Sequence, residues 1–220
     1  MVQDEFVNCY YRLLLKKLAV FNVDPDIFIK ALNTGVMYMV KNDGTRSNED
    51  AFWIGYQTIM EKPSFEMSAA FNEFYANEFN QAIVSTQPTH LARELIDLCH
   101  EKGCRLILAT SPLFPKAATF NRIRWAGLKP DDFEFITTYE VCTFCKPSLG
   151  YYKELIDRLN IDPYQSMMIG NDPSEDMVAK DLGFTTYLVT DTLENRSGKR
   201  VEPDITGTLK QLYRFLQDTL

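Results

Sequence analysis

From residue 88 onward the chain repeats one phrase: an amphipathic helix, a glycine, an apolar strand. Leu91, Leu95, Leu98 and Cys99 line one helix face, Gly103 stops that helix, and "CRLILAT" at 104–110 follows as a buried strand. A helix holding Phe120 and Ile123 stops at Gly127 ahead of "FEFITTY" at 133–139. Tyr152, Leu155, Ile156 and Leu159 mark a third helix, with "SMMIG" at 166–170 after it. A fourth helix ends at Gly183 and leads into "TTYLVT" at 185–190. Strands alternating with amphipathic helices predict an α/β fold, a doubly wound parallel sheet covered by helices on both faces. A surface helix over about 208–220 closes the chain.

Residues 1–87 have a different rhythm, helical and rich in aromatics. Phe6, Cys9, Tyr10 and Leu13 share one helix face. "DPD" at 24–26 supplies an aspartate N-cap with proline in the first helical position. "SNED" at 47–50 reads as a capping-box-like start, and Ser64 opens a further helix. Spacing places Trp53, Tyr56, Phe65, Phe71, Phe74 and Tyr75 mostly in a core. The expected organisation is a helical unit over 1–87 and an α/β unit over 88–220.

With 45% apolar residues, 220 residues can bury a sizeable core. The net charge is −7, from 23 basic and 30 acidic residues without a basic cluster, which argues against nucleic acid or an anionic membrane as the main partner. No apolar run is long enough to span a bilayer, and "MVQDEF" lacks a signal-peptide pattern. Five cysteines in such a chain read as reduced thiols, so the expected setting is cytoplasmic.

In an open parallel sheet, ligands bind outside the carboxyl ends of the strands. Thr110 and Ser111 end the first strand, Lys146 follows the second, and Asp172 and Asp176 follow the third. Taken singly, each has a plain structural reading. Acids in a first helical turn, for instance, gain about 0.3–1 kcal/mol from the dipole. Jointly they suit a phosphate site. Thr110 and neighbouring N–H groups would donate to a phosphoryl oxygen, Lys146 would add fixed charge, and the two aspartates would hold Mg²⁺, which prefers oxygen ligands.

"LILATSP", "CKPSLGYYKELIDRLNI" and "MMIGNDPSEDMVAKDLGF" resemble the second, third and fourth motifs of the haloacid dehalogenase (HAD) superfamily of phosphohydrolases. The likeness covers roughly residues 88–192. It implies a HAD-like, Rossmannoid sheet with residues 1–87 as a helical cap, and a small phosphorylated metabolite as substrate. It also implies phosphoryl binding by Thr110 and Ser111, and charge neutralisation by Lys146. Mg²⁺ would be held by Asp172 directly, with Asp176 acting through water or orienting Lys146.

The family's first motif, an apolar strand ending in DxDxT, has no match. "VDPDIF" at 23–28 has the D-x-D spacing but reads as a helix cap. The resemblance therefore implies a central strand and an attacking aspartate upstream of Met1. It also implies that the strands at 105–110 and 166–170 are not paired with each other, and that this chain is inactive as written. The alternatives are a non-catalytic phosphate-binding module, and zinc held by Cys142 and Cys145 with Cys99 and Cys104. A dinucleotide fold is disfavoured because no G-x-G occurs. His90 and His100 are expected to face solvent.

Overall fold

The computed structural model describes residues 3–61, 63–194 and 201–220, so Met1 lies outside it. Helix α1 (Gln3–Leu18) buries Phe6, Cys9, Tyr10 and Leu14. In α2 (Pro25–Val40) the Asp24 carboxylate accepts from the Asp26 and Ile27 amides. Ser47 caps α3 (Asn48–Gln57), and Ser64 caps α4 (Phe65–Ala76). Each cap satisfies amides that the first helical turn would otherwise leave unpaired. After α4 the chain tightens into a 3₁₀ stretch, Glu78–Ser85, that sequence patterning does not anticipate.

These helices share one aromatic core with the neighbouring α/β unit. Phe28, Tyr56, Phe74 and Phe79 are fully buried. Phe6 packs edge-on against Phe114 at 5.9 Å, and Phe79 stacks on Trp125 at 5.0 Å. Such pairs contribute about 0.5–1.5 kcal/mol beyond area burial. The spacing rule fails at Phe65, which is 85% exposed because the first turn of α4 projects beyond the cluster.

The α/β unit contains α5 (His90–Glu101), α6 (Lys116–Trp125), α7 (Leu149–Leu159) and α8 (Leu209–Thr219). Gly103, Gly127 and Gly183 all have positive φ, the backbone geometry that ends a helix most cheaply with glycine. The strands are parallel but fall into two sheets. β1 (Ile107–Leu108) pairs with β2 (Phe135–Ile136). β3 (Met167–Gly170), β4 (Thr185–Val189) and β5 (Ile205–Gly207) form the second sheet in that order. β1 and β2 are shorter than the runs at 104–110 and 133–139 from which they were expected. β5 is additional. The segment expected as a fourth helix is a set of turns followed by a 3₁₀ stretch, Met177–Leu182.

Both faces are covered. Leu95, Leu98, Leu212 and Leu216 of α5 and α8 pack on Leu106, Met167 and Tyr187. On the opposite face, Tyr151, Tyr152 and Leu155 of α7 pack on Ala109, Phe135 and Met168. This is the doubly wound arrangement of a HAD-like α/β fold, with its sheet divided between β1 and β3. Both histidines are exposed. No helix among the described residues is long and apolar enough to cross a membrane.

Candidate active site at the strand ends

Thr110 stands two residues beyond β1. Its carbonyl accepts from Thr137 Oγ1 at 2.6 Å and from the Tyr151 hydroxyl at 2.9 Å, which ties this strand end to β2 and α7. The Thr110 and Ser111 side chains are half-buried. Lys146 enters from the loop after β2 and is 5% exposed. Its Nζ donates to Asp176 Oδ1 at 2.6 Å and lies 5.7 and 5.8 Å above the rings of Tyr151 and Tyr152. The carboxylate and the ring faces both attract an ammonium in that position.

Asp176 holds more than Lys146. Its Oδ2 accepts from the Asn171 and Asp172 amides at 2.9 and 3.0 Å, which folds the chain back over the end of β3. Gly170 permits that approach, since a Cβ there would overlap the Asp176 carboxylate. Both Asp176 oxygens are thus engaged within the chain. Asp172 differs. Its Oδ1 accepts from the Ser174 amide, the Ser174 hydroxyl and the Glu175 amide, and among the described residues no hydrogen bond reaches Oδ2.

Charge then decides what suits the site. Lys146 and Asp176 offset each other, leaving the buried Asp172 carboxylate with no cationic partner in hydrogen-bond range among the described residues. A hard cation held by Oδ2 and waters fits this donor set, since Mg²⁺ commonly takes one or two carboxylates and fills its shell with water and phosphate oxygens. The described residues hold no cluster of three or more metal-ligating side chains, so Asp172 would be the anchor.

The sequence reading missed the residues that position the Lys146 loop. Asn48, at the start of α3, is completely buried. Its amide donates to the Cys142 carbonyl at 2.8 Å, and its side-chain Nδ2 donates to the Phe144 carbonyl at 3.1 Å. Tyr152 is expected on the face of the third helix, and Tyr151 beside it in "CKPSLGYYKELIDRLNI" carries no such spacing signal. Burial keeps both phenols well above their usual pKa, so they stay neutral donors, Tyr152 to the Glu175 carbonyl at 2.7 Å.

The cysteines do not converge. Cys99 and Cys104 sit under α5 and α8, whereas Cys145 packs with Met39 and Ala51. Burial pushes the Cys142 and Cys145 thiols up to about 12, the direction expected of core thiols.

The sequence profile of haloacid dehalogenase-like hydrolases matches residues 41–183. No curated protein sequence matches the chain. Among solved structures, the HAD phosphatase from Thermococcus onnurineus is similar, with a TM-score of 0.58 and 18% identity over 97% of this chain and 91% of its own. CbbY from Rhodobacter sphaeroides, solved with phosphate, has a TM-score of 0.57 and 16% identity, covering 93% and 89%. YfnB from Bacillus subtilis, solved with magnesium, has a TM-score of 0.56 and 17% identity, covering 97% and 92%. At these identities the structural likeness speaks for the fold, and the profile match over most of the chain speaks for the family. The chain belongs to the haloacid dehalogenase-like hydrolases.

Proposed function

We propose that the protein is the phosphate- and magnesium-binding part of a phosphomonoester hydrolase acting on a small phosphorylated metabolite in the cytoplasm, with its attacking carboxylate supplied by a strand outside this sequence. The observation that supports this reading is the buried Lys146–Asp176 pair beside Asp172, while the Tyr151 side chain that lies under Lys146 donates to the Thr110 carbonyl. The Thr110 hydroxyl and the Ser111 amide would donate to a phosphoryl oxygen. Lys146 would offset charge on the equatorial oxygens, held in place by Asp176 and the two tyrosine rings. Asp172 Oδ2 would hold Mg²⁺, which when bound supplies Lewis-acid neutralisation of the phosphate.

The family's attacking aspartate, the first of DxDxT, has no counterpart in this sequence, and the two acids at the site already have partners. Asp176 is committed to three donors, and Asp172 to three on one oxygen. The chain by itself is therefore expected to turn over no phosphate ester. The same observation favours a second reading, a phosphate-binding module without catalysis. The experiment is release of phosphate from p-nitrophenyl phosphate with Mg²⁺ by this chain and by a form extended to an upstream in-frame start. Activity in the longer form alone supports the hydrolase, whereas inactivity in both, with no upstream DxDxT, leaves the binding module. Turnover by the short chain that is lost in Asp172→Ala contradicts the proposed inactivity.

A further inference from the structure

Helix α2 carries apolar side chains around more of its circumference than the molecule covers. Phe28, Ala31, Leu32, Gly35 and Met39 are buried on its inner face. On the outer side Met37 is 47% exposed, and Ile27, Tyr38 and Val40 are exposed as well. A helix that is apolar all round normally has both faces covered.

The outer face also has a definite shape. Asp26, Ile29, Lys30 and Asn33, spaced i, i+3, i+4 and i+7, line a shallow groove of about 420 Å³ that continues to Thr34 and Met37. Four residues at that spacing form the hole into which a facing helix inserts a knob. The same helix offers the knob, Met37. A two-fold axis between Asn33 and Thr34 would lay a second α2 antiparallel on the first, with its Met37 over Ile29 and Lys30. That register sets Asn33 against Thr34 and Asp26 against Lys41 of the other copy, each twice. On the two flanks it brings Ile27 toward Tyr38 and Ile29 toward Val40. Asp26, Lys30 and Lys41 are exposed and make no salt bridge with other described residues, so their charges are free for such pairing.

We propose that this face is a self-association surface, on which a second copy of this chain docks through α2 in an isologous two-fold contact. Knob, hole and complementary charges all lie on one helix, which is what a self-complementary patch requires. One helix pair with its flanks makes a contact below the roughly 1,600 Å² of a standard interface. A concentration-dependent dimer is therefore expected, and not an obligate one. The inference does not depend on the hydrolase reading.

The test is sedimentation equilibrium of this chain from micromolar to submillimolar concentration, where a monomer–dimer equilibrium is expected. Met37→Lys puts an ammonium against Lys30 of the other copy and should weaken the dimer at least about tenfold. The position is exposed, so Tm should not change. Asp26→Lys and Lys41→Asp then test the register. Asp24, which caps α2 through the Asp26 and Ile27 amides, is kept in both. Each sets like charges opposite each other and should weaken self-association about threefold or more. An equimolar mixture of these two variants restores both opposite-charge pairs in a mixed dimer and should recover the parent affinity. A chain that stays monomeric, a dimer indifferent to Met37→Lys, or a mixture no tighter than its components would overturn the proposal.

Discussion

The helical half and the sheet half of this molecule are finished to different degrees. In the helical half, Phe28, Phe74 and Phe79 have no exposed surface, and each ring meets others at aromatic contact distances. In the sheet half, β1 and β3 stay half-open although helices cover both faces. Helices satisfy their backbone bonds locally, so an aromatic stripe and a good cap suffice to build a cap unit. A strand depends on partners distant in sequence, and β1 and β3 keep their helix layers without pairing with each other.

This contrast can be broken by mutation. The largest effect should come from the finished half: Phe79→Ala should cost about 3–5 kcal/mol in urea unfolding, since its neighbours cannot collapse into the space. Next is the buried pair at the strand ends. Lys146→Met leaves Asp176 uncompensated and should cost about 3 kcal/mol or more, with much of that recovered in a Lys146→Met, Asp176→Leu double variant if the charge is the cause. Ile169→Ala should cost only about 1 kcal/mol, because a good part of the side chain is already in water. A cost near that of Phe79→Ala would show that β3 is packed as tightly as the cap.

The smallest effect lies at the far edge of the second sheet. Lys180, at 2.6 Å, and then the Thr186 hydroxyl and amide hold the Asp204 carboxyl down at about 2, from an ordinary 3.8. A carboxyl with a lowered folded pKa stabilises the protein above its ordinary pKa, and that contribution disappears as pH falls through the folded value. Asp204→Asn should therefore be less stable at pH 7 by about 0.2–1 kcal/mol, the scale of partly exposed pairs. The gap should narrow below about pH 4 and close near pH 2 in parallel thermal melts. A gap independent of pH would mean that Asp204 acts through packing alone.

Much of this architecture was legible because its signals are local. Asp24, Ser47 and Ser64 cap helices by side-chain chemistry readable from a few residues, and Gly103, Gly127 and Gly183 mark stops through backbone freedom. Thr110, Lys146, Asp172 and Asp176 stood out because strand ends converge. What stayed hidden was non-local. Asn48 positions the Lys146 loop across 96 residues of sequence. Ile205–Gly207 is a strand only because β4 offers it an edge, since "ITG" has no pattern of its own. The expected helix after Asp172 yields to turns because the Asp172 and Asp176 carboxylates draw the local amides inward.

The most direct measurement is amide hydrogen exchange on the protein alone, comparing Tyr187, Leu188 and Val189 of β4 with Ile107 of β1 and Ile169 of β3. A divided sheet predicts that the β4 amides exchange only through global unfolding, while those of Ile107 and Ile169 exchange orders of magnitude faster through local opening. Equal protection at both places would mean that β1 and β3 pair in solution. The division of the sheet into two would then have to be abandoned.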